Sequence, residues 1–297
     1  MNFIKKVYVT LRGIARHPLN RRSKPAAMWN FCVSQVAVRL VPGDIAVPFP
    51  NGTKLMINPR MKGAAHFITP GLCEFEEMSF VMHFLRPGEL FVDAGANVGA
   101  FTVLASGVAG AKSIAFEPGV SSHEFLRRNV GINALHDRVT THQLALGSER
   151  GVARFTENLG TENHVSQNGD LSGTNEVQVA TLDAMLEGLL PVLIKIDVEG
   201  FETKVMAGAA RTLRQPSLQA LIMERANNGA AFGFDEDALH REIRALAFTP
   251  CAYDPWSRTL SRLPDDAMGN LIYVKDFAAA QRRLKEAAPY QFGGFKI

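Results

Sequence analysis

The 297-residue sequence predicts an α/β fold: a doubly wound, mostly parallel sheet with an antiparallel last strand, preceded by an N-terminal helical and β-hairpin extension. Three observations predict it. From Leu90 onward, short apolar runs alternate with helical stretches, the pattern of a parallel sheet covered on both faces. The run Phe91-Val-Asp93 turns through Gly95 and Gly99 into a helix start, and the next apolar run, Ile114-Ala-Phe-Glu117, ends in an acid. Residues 250–263 look extended and lead into residues 271–274, a hairpin entry that makes the final strand antiparallel.

The elements follow in order. Residues 28–40 read as a helix closed by Pro42-Gly43. Residues 44–58 read as a hairpin turning at Pro50-Asn51-Gly52. Residues 74–85 read as a helix stopped before Pro87-Gly88. This change of character divides the chain into an extension, residues 1–86, and a sheet domain, residues 87–297. The strand candidates are 90–93, 113–117, 139–144, 192–197, 220–224 and 271–274, and the helix candidates are 100–105, 123–129, 182–187, 202–213 and 236–246. Residues 152–179 are polar and strand-like, and read as a hairpin or loop inserted between the third and fourth sheet strands. Residues 275–297 read as a closing helix and a tail.

Composition narrows the function. A 46% apolar and 21% charged chain is ordinary for a globular protein, and a net charge of +3 is too small to argue for nucleic acid. Cys32, Cys73 and Cys251 are far apart, giving neither a disulfide framework nor a zinc signature. No apolar run is long enough for a membrane helix or a secretory signal, so the expected location is cytoplasmic. Charge is uneven, however. Residues 1–43 carry Lys5, Lys6, Arg12, Arg16, Arg21, Arg22, Lys24 and Arg39 and no acid, Asp44 being the first. That segment suits either an electrostatic foot on an anionic membrane or acidic glycolipid, or a solvated basic helix packed on the main domain.

The turn Asp93-Ala-Gly95-Ala-Asn97-Val-Gly99 points to a cofactor. Its spacing departs from the G-x-G-x-x-G of nicotinamide folds. An acid at the strand tip suits a cationic ammonium and disfavours a pyrophosphate, which fits S-adenosylmethionine, with S-adenosylhomocysteine as product. Gly95 permits close approach or positive φ, and Asn97 tolerates left-handed geometry. The structural alternative is a tight strand-to-helix turn with no ligand. Glu117 argues against that alternative, because a carboxylate at a second strand tip suits ribose hydroxyls and has no obvious packing role. Pro118 follows it, and Leu144-Ala145-Leu146 at the third strand end is expected beside the adenine.

A second constellation is Val192-Leu-Ile-Lys195-Ile-Asp197-Val-Glu199-Gly200. Lys195, Asp197 and Glu199 crowd the fourth strand tip, and Glu224 ends the fifth. Such a group is costly unless paired or ligand-bound. The structural alternative is an internal ion pair of Lys195 with Asp197 or Glu224.

Together these residues resemble the FkbM family of S-adenosylmethionine-dependent methyltransferases. The resemblance rests on Asp93–Gly99, Phe116-Glu117-Pro118 and the Lys195-x-Asp197-x-Glu199-Gly200-x-Glu202 segment, with Asn129, Asn133, Thr181-Leu182-Asp183 and Gly208-Ala209 in consistent order. The segment Gly71-Leu-Cys73-Glu-Phe-Glu-Glu-Met resembles a bacterial branch in which histidine is expected where Cys73 stands. The resemblance implies a Rossmann-like domain that O-methylates a hydroxyl of a sugar, glycolipid or secondary metabolite. It implies cofactor contacts from Asp93, Gly95, Asn97, Gly99, Glu117, Pro118, Ala145 and Asp197. By position, Asp197, Glu199 and Glu224 are base candidates, and His164 in the polar insert is the best histidine, its alternative being an exposed loop residue. The N-terminal extension could also bring His66 over the cofactor. The three carboxylates could instead hold a divalent ion, although no spaced metal motif supports one. Three rivals are weighed: an NAD(P)-dependent oxidoreductase, a nucleic-acid methyltransferase, which would want a Pro-Pro-aromatic segment where Asp197-Val-Glu199-Gly200 stands, and a non-catalytic binding protein of the same fold.

Overall fold

A computed structural model describes residues 12–14, 16–20, 24–25, 28–29, 31–33, 36, 43–59, 67–68, 71–156, 174–226 and 228–297. Strands β1 (Ile45–Pro48) and β2 (Lys54–Ile57) form the expected antiparallel hairpin. Its turn places Asn51 and Gly52 at positive φ, which those two residue types accept at least strain. Helix α1 (Phe75–Phe84) is buried nearly all round, from Phe75 and Met78 to Phe84. The sheet then alternates with helices: β3 (Leu90–Ala94), α2 (Ala100–Val103), β4 (Lys112–Phe116), α3 (Val120–Ile132) and β5 (Val139–His142). A side sheet follows, made of β6 (Ala145–Leu146), β7 (Gly151–Thr156) and β8 (Thr174–Ala180). The chain continues through α4 (Leu182–Met185), β9 (Pro191–Ile196), α5 (Glu202–Ala207), β10 (Ala220–Arg225) and α6 (Glu236–Ala245). It closes with β11 (Thr249–Asp254), β12 (Thr259–Arg262), β13 (Gly269–Val274), α7 (Phe277–Lys285), β14 (Gln291–Phe292) and β15 (Phe295–Lys296).

The eight-stranded sheet runs in the order β12-β11-β13-β10-β9-β3-β4-β5. Pairing is parallel from β10 through β9, β3 and β4 to β5, and β13 runs antiparallel between β10 and β11. The doubly wound sheet and its antiparallel last strand are therefore as the sequence predicts. Strand order reverses at β3, between β4 and β9, and ligands of such sheets sit at the carboxyl ends beside that point.

Alternation along each strand builds two cores. Phe91, Leu193 and Ile222 face one side with Phe75, Phe80, Phe84, Leu55 and Ile57, whereas Val92, Ile194 and Leu221 face the other with Ile243 and Leu213. Asn129 on α3 and Asn133 at its C-cap fasten the hairpin to the body of the main sheet. Asn129 Nδ2 donates to the Met56 and Val98 carbonyls (2.9 and 2.8 Å), and Asn133 accepts from the Lys54 amide (2.8 Å) and donates to its carbonyl (2.7 Å).

Four expectations change in detail. The third strand ends at His142, and Ala145-Leu146 pairs with β8 instead of extending it. The helix expected over 100–105 passes at Leu104 into a π turn. The helix expected over 202–213 stops at Ala207, and its C-cap Gly208 lies against the Gly147 carbonyl, where an added Cβ would sit 2.0 Å away. The tail after α7 forms the hairpin β14–β15, which returns Ile297 to hydrogen-bond the Tyr290 backbone. The insert expected over 152–179 is seen as the antiparallel pair β7–β8, its tip lying outside the described residues.

Candidate active site

A cavity of about 700 Å³ opens at the carboxyl ends of β3, β4, β9 and β10. Its first wall is built by backbone geometry. After β3 the chain doubles back so that the Gly95 and Ala96 amides both donate to the Phe116 carbonyl (3.0 and 2.9 Å). Gly95 has φ +83, and a Cβ there would lie 1.8 Å from the Asp197 carbonyl oxygen. Only glycine satisfies both conditions. Asn97 also lies at positive φ, +51, and its Oδ1 is buried without a hydrogen-bond partner.

Glu117 closes this wall. Its Oε2 accepts from the Asn97 amide and its Oε1 from the Gly119 amide, each at 2.8 Å. Burial pushes its carboxyl up to about 7 against the pull of those amides. Each carboxylate oxygen keeps a further lone-pair site for a ligand hydroxyl. Phe116, Pro118, Leu144, Ala145, Leu146 and Phe155 supply a largely apolar surface alongside.

The second wall is made of charged side chains. Lys195, at the end of β9, donates to Asp197 Oδ2 at 2.7 Å and lies 4.8 Å from the Phe101 ring centre. The ion pair that sequence offers as an alternative therefore forms, with Asp197. It does not exhaust the charge, because Asp197, Glu199, Glu224 and Glu74 all line the same cavity. Burial alone would lower the Lys195 ammonium, but Asp197, Asp93 and Glu74 around it outweigh burial and hold it above its usual value. Glu224 is raised by burial and by Asp197, and accepts from Asn228 Nδ2 at 3.0 Å. Glu199 takes φ +53, which bends the chain back after the strand.

Glu74 is the residue that sequence reasoning missed. It stands at the N-cap position of α1, in the extension, and its Oε2 accepts from Asn270 Nδ2 of β13 at 3.0 Å. Burial pushes its carboxyl up to about 7; Lys195 opposes this, and Asp197, Glu224 and Asp93 reinforce it. No local motif marks Glu74, since its partners come from four other strands. The only available signal was its place in the segment beside Cys73, and Cys73 also lines the cavity.

Other expected site residues fall elsewhere. Asp93 and Gly99 do not line the cavity. Asp93 is 1% exposed; Thr102 Oγ1 donates to its Oδ2 at 2.6 Å, and its Oδ1 has no partner. Burial raises its carboxyl, and Lys195 opposes the rise. Gly99, at φ +86, lets the β3–α2 turn pack against Leu126. Glu202 caps its own loop by accepting from the Val198 and Gly200 amides (3.1 and 3.2 Å). Asp183 likewise binds the Arg211 and Thr212 amides. His164 and His66 lie outside the described residues. Among the described residues, no group of three His, Cys, Asp or Glu side chains is arranged to hold a metal ion, and no helix is long and apolar enough to cross a membrane.

The fold and cavity define a doubly wound α/β protein with a cofactor-sized crevice at its topological switch point. The family model of the FkbM methyltransferase domain matches residues 93–254, more than half of the chain, and the chain belongs to that family. No curated protein matches it. Similar solved structures include the C-terminal domain of precorrin-6Y C5,15-methyltransferase from Rhodobacter capsulatus, 15% identical over 68% of this chain and 87% of that one, with a TM-score of 0.39. Precorrin 8W decarboxylase from Methanobacterium thermoautotrophicum is 14% identical over 74% and 96%, with a TM-score of 0.41. The precorrin-6y C5,15-methyltransferase of Geobacter metallireducens is 13% identical over 68% and 85%, with a TM-score of 0.38. The family implies S-adenosylmethionine as methyl donor. The cavity fits that group: it has the volume, an apolar side, a carboxylate with free lone pairs in Glu117 and a buried unpartnered acceptor in Asn97 Oδ1.

Proposed function

We propose that this protein is an S-adenosylmethionine-dependent O-methyltransferase acting on a hydroxyl of a sugar, glycolipid or secondary metabolite. The observation that carries this reading is the convergence of Glu74, Lys195, Asp197 and Glu224 on the cavity that Glu117 closes. Glu117 would take the ribose hydroxyls, Asn97 and the Gly95 turn the polar end of the cofactor, and the Leu144–Leu146 side the adenine. The bound cofactor supplies an electrophilic methyl group on a sulfonium.

The chain's own task is to orient an alcohol and remove its proton. Asp197 is committed to Lys195, which leaves Glu74, Glu199 and Glu224 as the carboxylates facing the cavity that could accept a proton. Glu74 is the best base. Its carboxyl sits near 7, so it is ionised in a useful fraction of molecules at neutral pH yet basic enough to hold a proton. Asn270 fixes its orientation from the opposite side. Lys195 then stabilises the carboxylate before it takes the proton.

The oxidoreductase rival finds little support in the cavity. Tyr253, Tyr273 and Tyr290 are buried against His83, His240 and Ser79, and none lines the crevice. The test is incubation of the protein with methyl-labelled S-adenosylmethionine and a bacterial extract split into lipid, polysaccharide and small-molecule fractions. Label that survives mild alkali, as an ether does, supports the reading. Label released by alkali would mean ester formation, and no label in any fraction despite cofactor binding would favour a non-catalytic relative.

A further inference from the structure

We infer that the N-terminal segment is a docking foot for an anionic lipid bilayer, with Trp29, Val33 and Val36 as its apolar contact. Met28, Trp29, Phe31, Cys32, Val33 and Val36 are helical. Trp29, Val33 and Val36 are spaced four and three residues apart, so they share one helix face. All three are exposed, at 70%, 47% and 57%. Exposed apolar side chains aligned in this way are unusual on a protein that faces only water. Tryptophan is the residue type best suited to the level of lipid headgroups.

Charge selects the occupant. The first 43 residues carry eight basic side chains and no acid, and because the whole chain has 32 basic against 29 acidic residues, the remainder is net acidic. Arg12, Arg16 and Lys24 are exposed. A basic patch flanking an apolar stripe matches an anionic bilayer, which rewards both together.

Ile14, His17 and Leu19, near the start of the foot, are fixed to the body. Ile14 and Leu19 are buried, and His17 Nε2 donates to the Leu72 carbonyl at 2.8 Å while its ring packs edge-on to Phe75. Leu72 and Phe75 flank Cys73 and Glu74 in sequence, and Cys73 and Glu74 line the cavity. This inference stands on the foot alone and survives a different acceptor.

The test is sedimentation of the full chain with vesicles of phosphatidylcholine containing about one third phosphatidylglycerol, beside pure phosphatidylcholine vesicles, at low and high salt. Binding to the anionic vesicles is expected, roughly tenfold or more above the neutral ones, and it weakens with salt. Trp29 fluorescence shifts to shorter wavelength on binding, and Trp29→Ser together with Val33→Ser abolishes sedimentation while far-UV circular dichroism and melting stay unchanged. Absence of binding to anionic vesicles, or binding that the double variant retains, overturns the inference. A monomer–dimer shift on size exclusion that the double variant removes, without vesicle binding, also overturns it, because a second copy would then be the occupant.

Discussion

The two walls of the cavity are built differently. The β3–β4 wall is held by backbone: two amides on the Phe116 carbonyl, two more on the Glu117 carboxylate, and a glycine pressed against Asp197. The α1–β9–β10 wall is held by side-chain charge, with Lys195 set among Asp197, Asp93 and Glu74. The backbone-built wall takes its shape from main-chain hydrogen bonds and glycine geometry. A charge-built wall changes its proton count when a substrate enters, which is what a group that must accept a proton requires. The proposed function assigns cofactor binding to the first wall and proton removal to the second.

The harshest way to break the comparison is Gly95→Ala. The added methyl collides with a backbone oxygen that cannot move without shifting β9, and alanine is strained at φ +83. A loss of about 3 kcal/mol or more in folding stability is expected, read as a collapsed melting transition. A variant that melts like the wild type would show the turn to be softer than the geometry says.

Lys195→Met comes next and attacks the charged wall. Removing one partner of a buried charge cluster costs about 3–5 kcal/mol. The loss should shrink as pH falls, since the buried carboxyls of Asp93 and Glu74, both raised by burial, then protonate. Denaturant melts at pH 5.5 and 8 check the sign.

Glu74→Gln leaves the fold and changes the chemistry. Turnover is expected to fall about 10²- to 10⁴-fold, with KM for the cofactor nearly unchanged. The ionisation near pH 7 should vanish from the kcat profile of the variant. A parallel loss in Glu224→Gln but not in Glu74→Gln would move the base to β10.

The smallest effect is on stability against pH. Glu74, Glu117 and Glu202 are raised by burial to about 7 and Glu77 to about 8. The folded protein therefore holds these protons more tightly than the unfolded chain. Their stabilisation is full below the ordinary glutamate value of 4.5 and is lost as pH rises through 7 to 8. The buried histidines act in reverse: His83, lowered by burial to about 4, weakens the fold as pH falls below 6.5. From pH 6.5 to 8 the loss of the raised carboxyl protons sets the trend, so the melting temperature of the ligand-free protein should drop by a few degrees, roughly 2–4 °C. Glu77→Gln should flatten that slope.

The same contrast explains what was legible in the sequence. The backbone wall was readable because its parts lie within a few residues of one another: Gly95, Asn97 and Gly99 in one turn, Glu117 at the next strand tip. The Lys195–Asp197 pair was readable for the same reason. Glu74 was not, because only the folded sheet brings α1 and Asn270 of β13 to β9. Asp93 misled in one respect. A strand-tip acid reads as a ligand contact, whereas the structure shows Asp93 buried, accepting from Thr102 and not among the residues that line the cavity. The motif residues Asn129, Asn133, Asp183 and Gly208 prove to be fasteners of loops and of the N-terminal hairpin, a role that no spacing rule announces.

The most direct test of the division between the walls is equilibrium binding of S-adenosylmethionine to the wild type, Glu117→Gln and Glu74→Gln, followed by calorimetry without any acceptor. The account expects Glu117→Gln to bind at least about tenfold more weakly, since an amide cannot accept from both backbone N–H groups and still receive a hydroxyl, and Glu74→Gln to bind within about twofold of the wild type. Unchanged binding in Glu117→Gln, or an equal loss in Glu74→Gln, would contradict it.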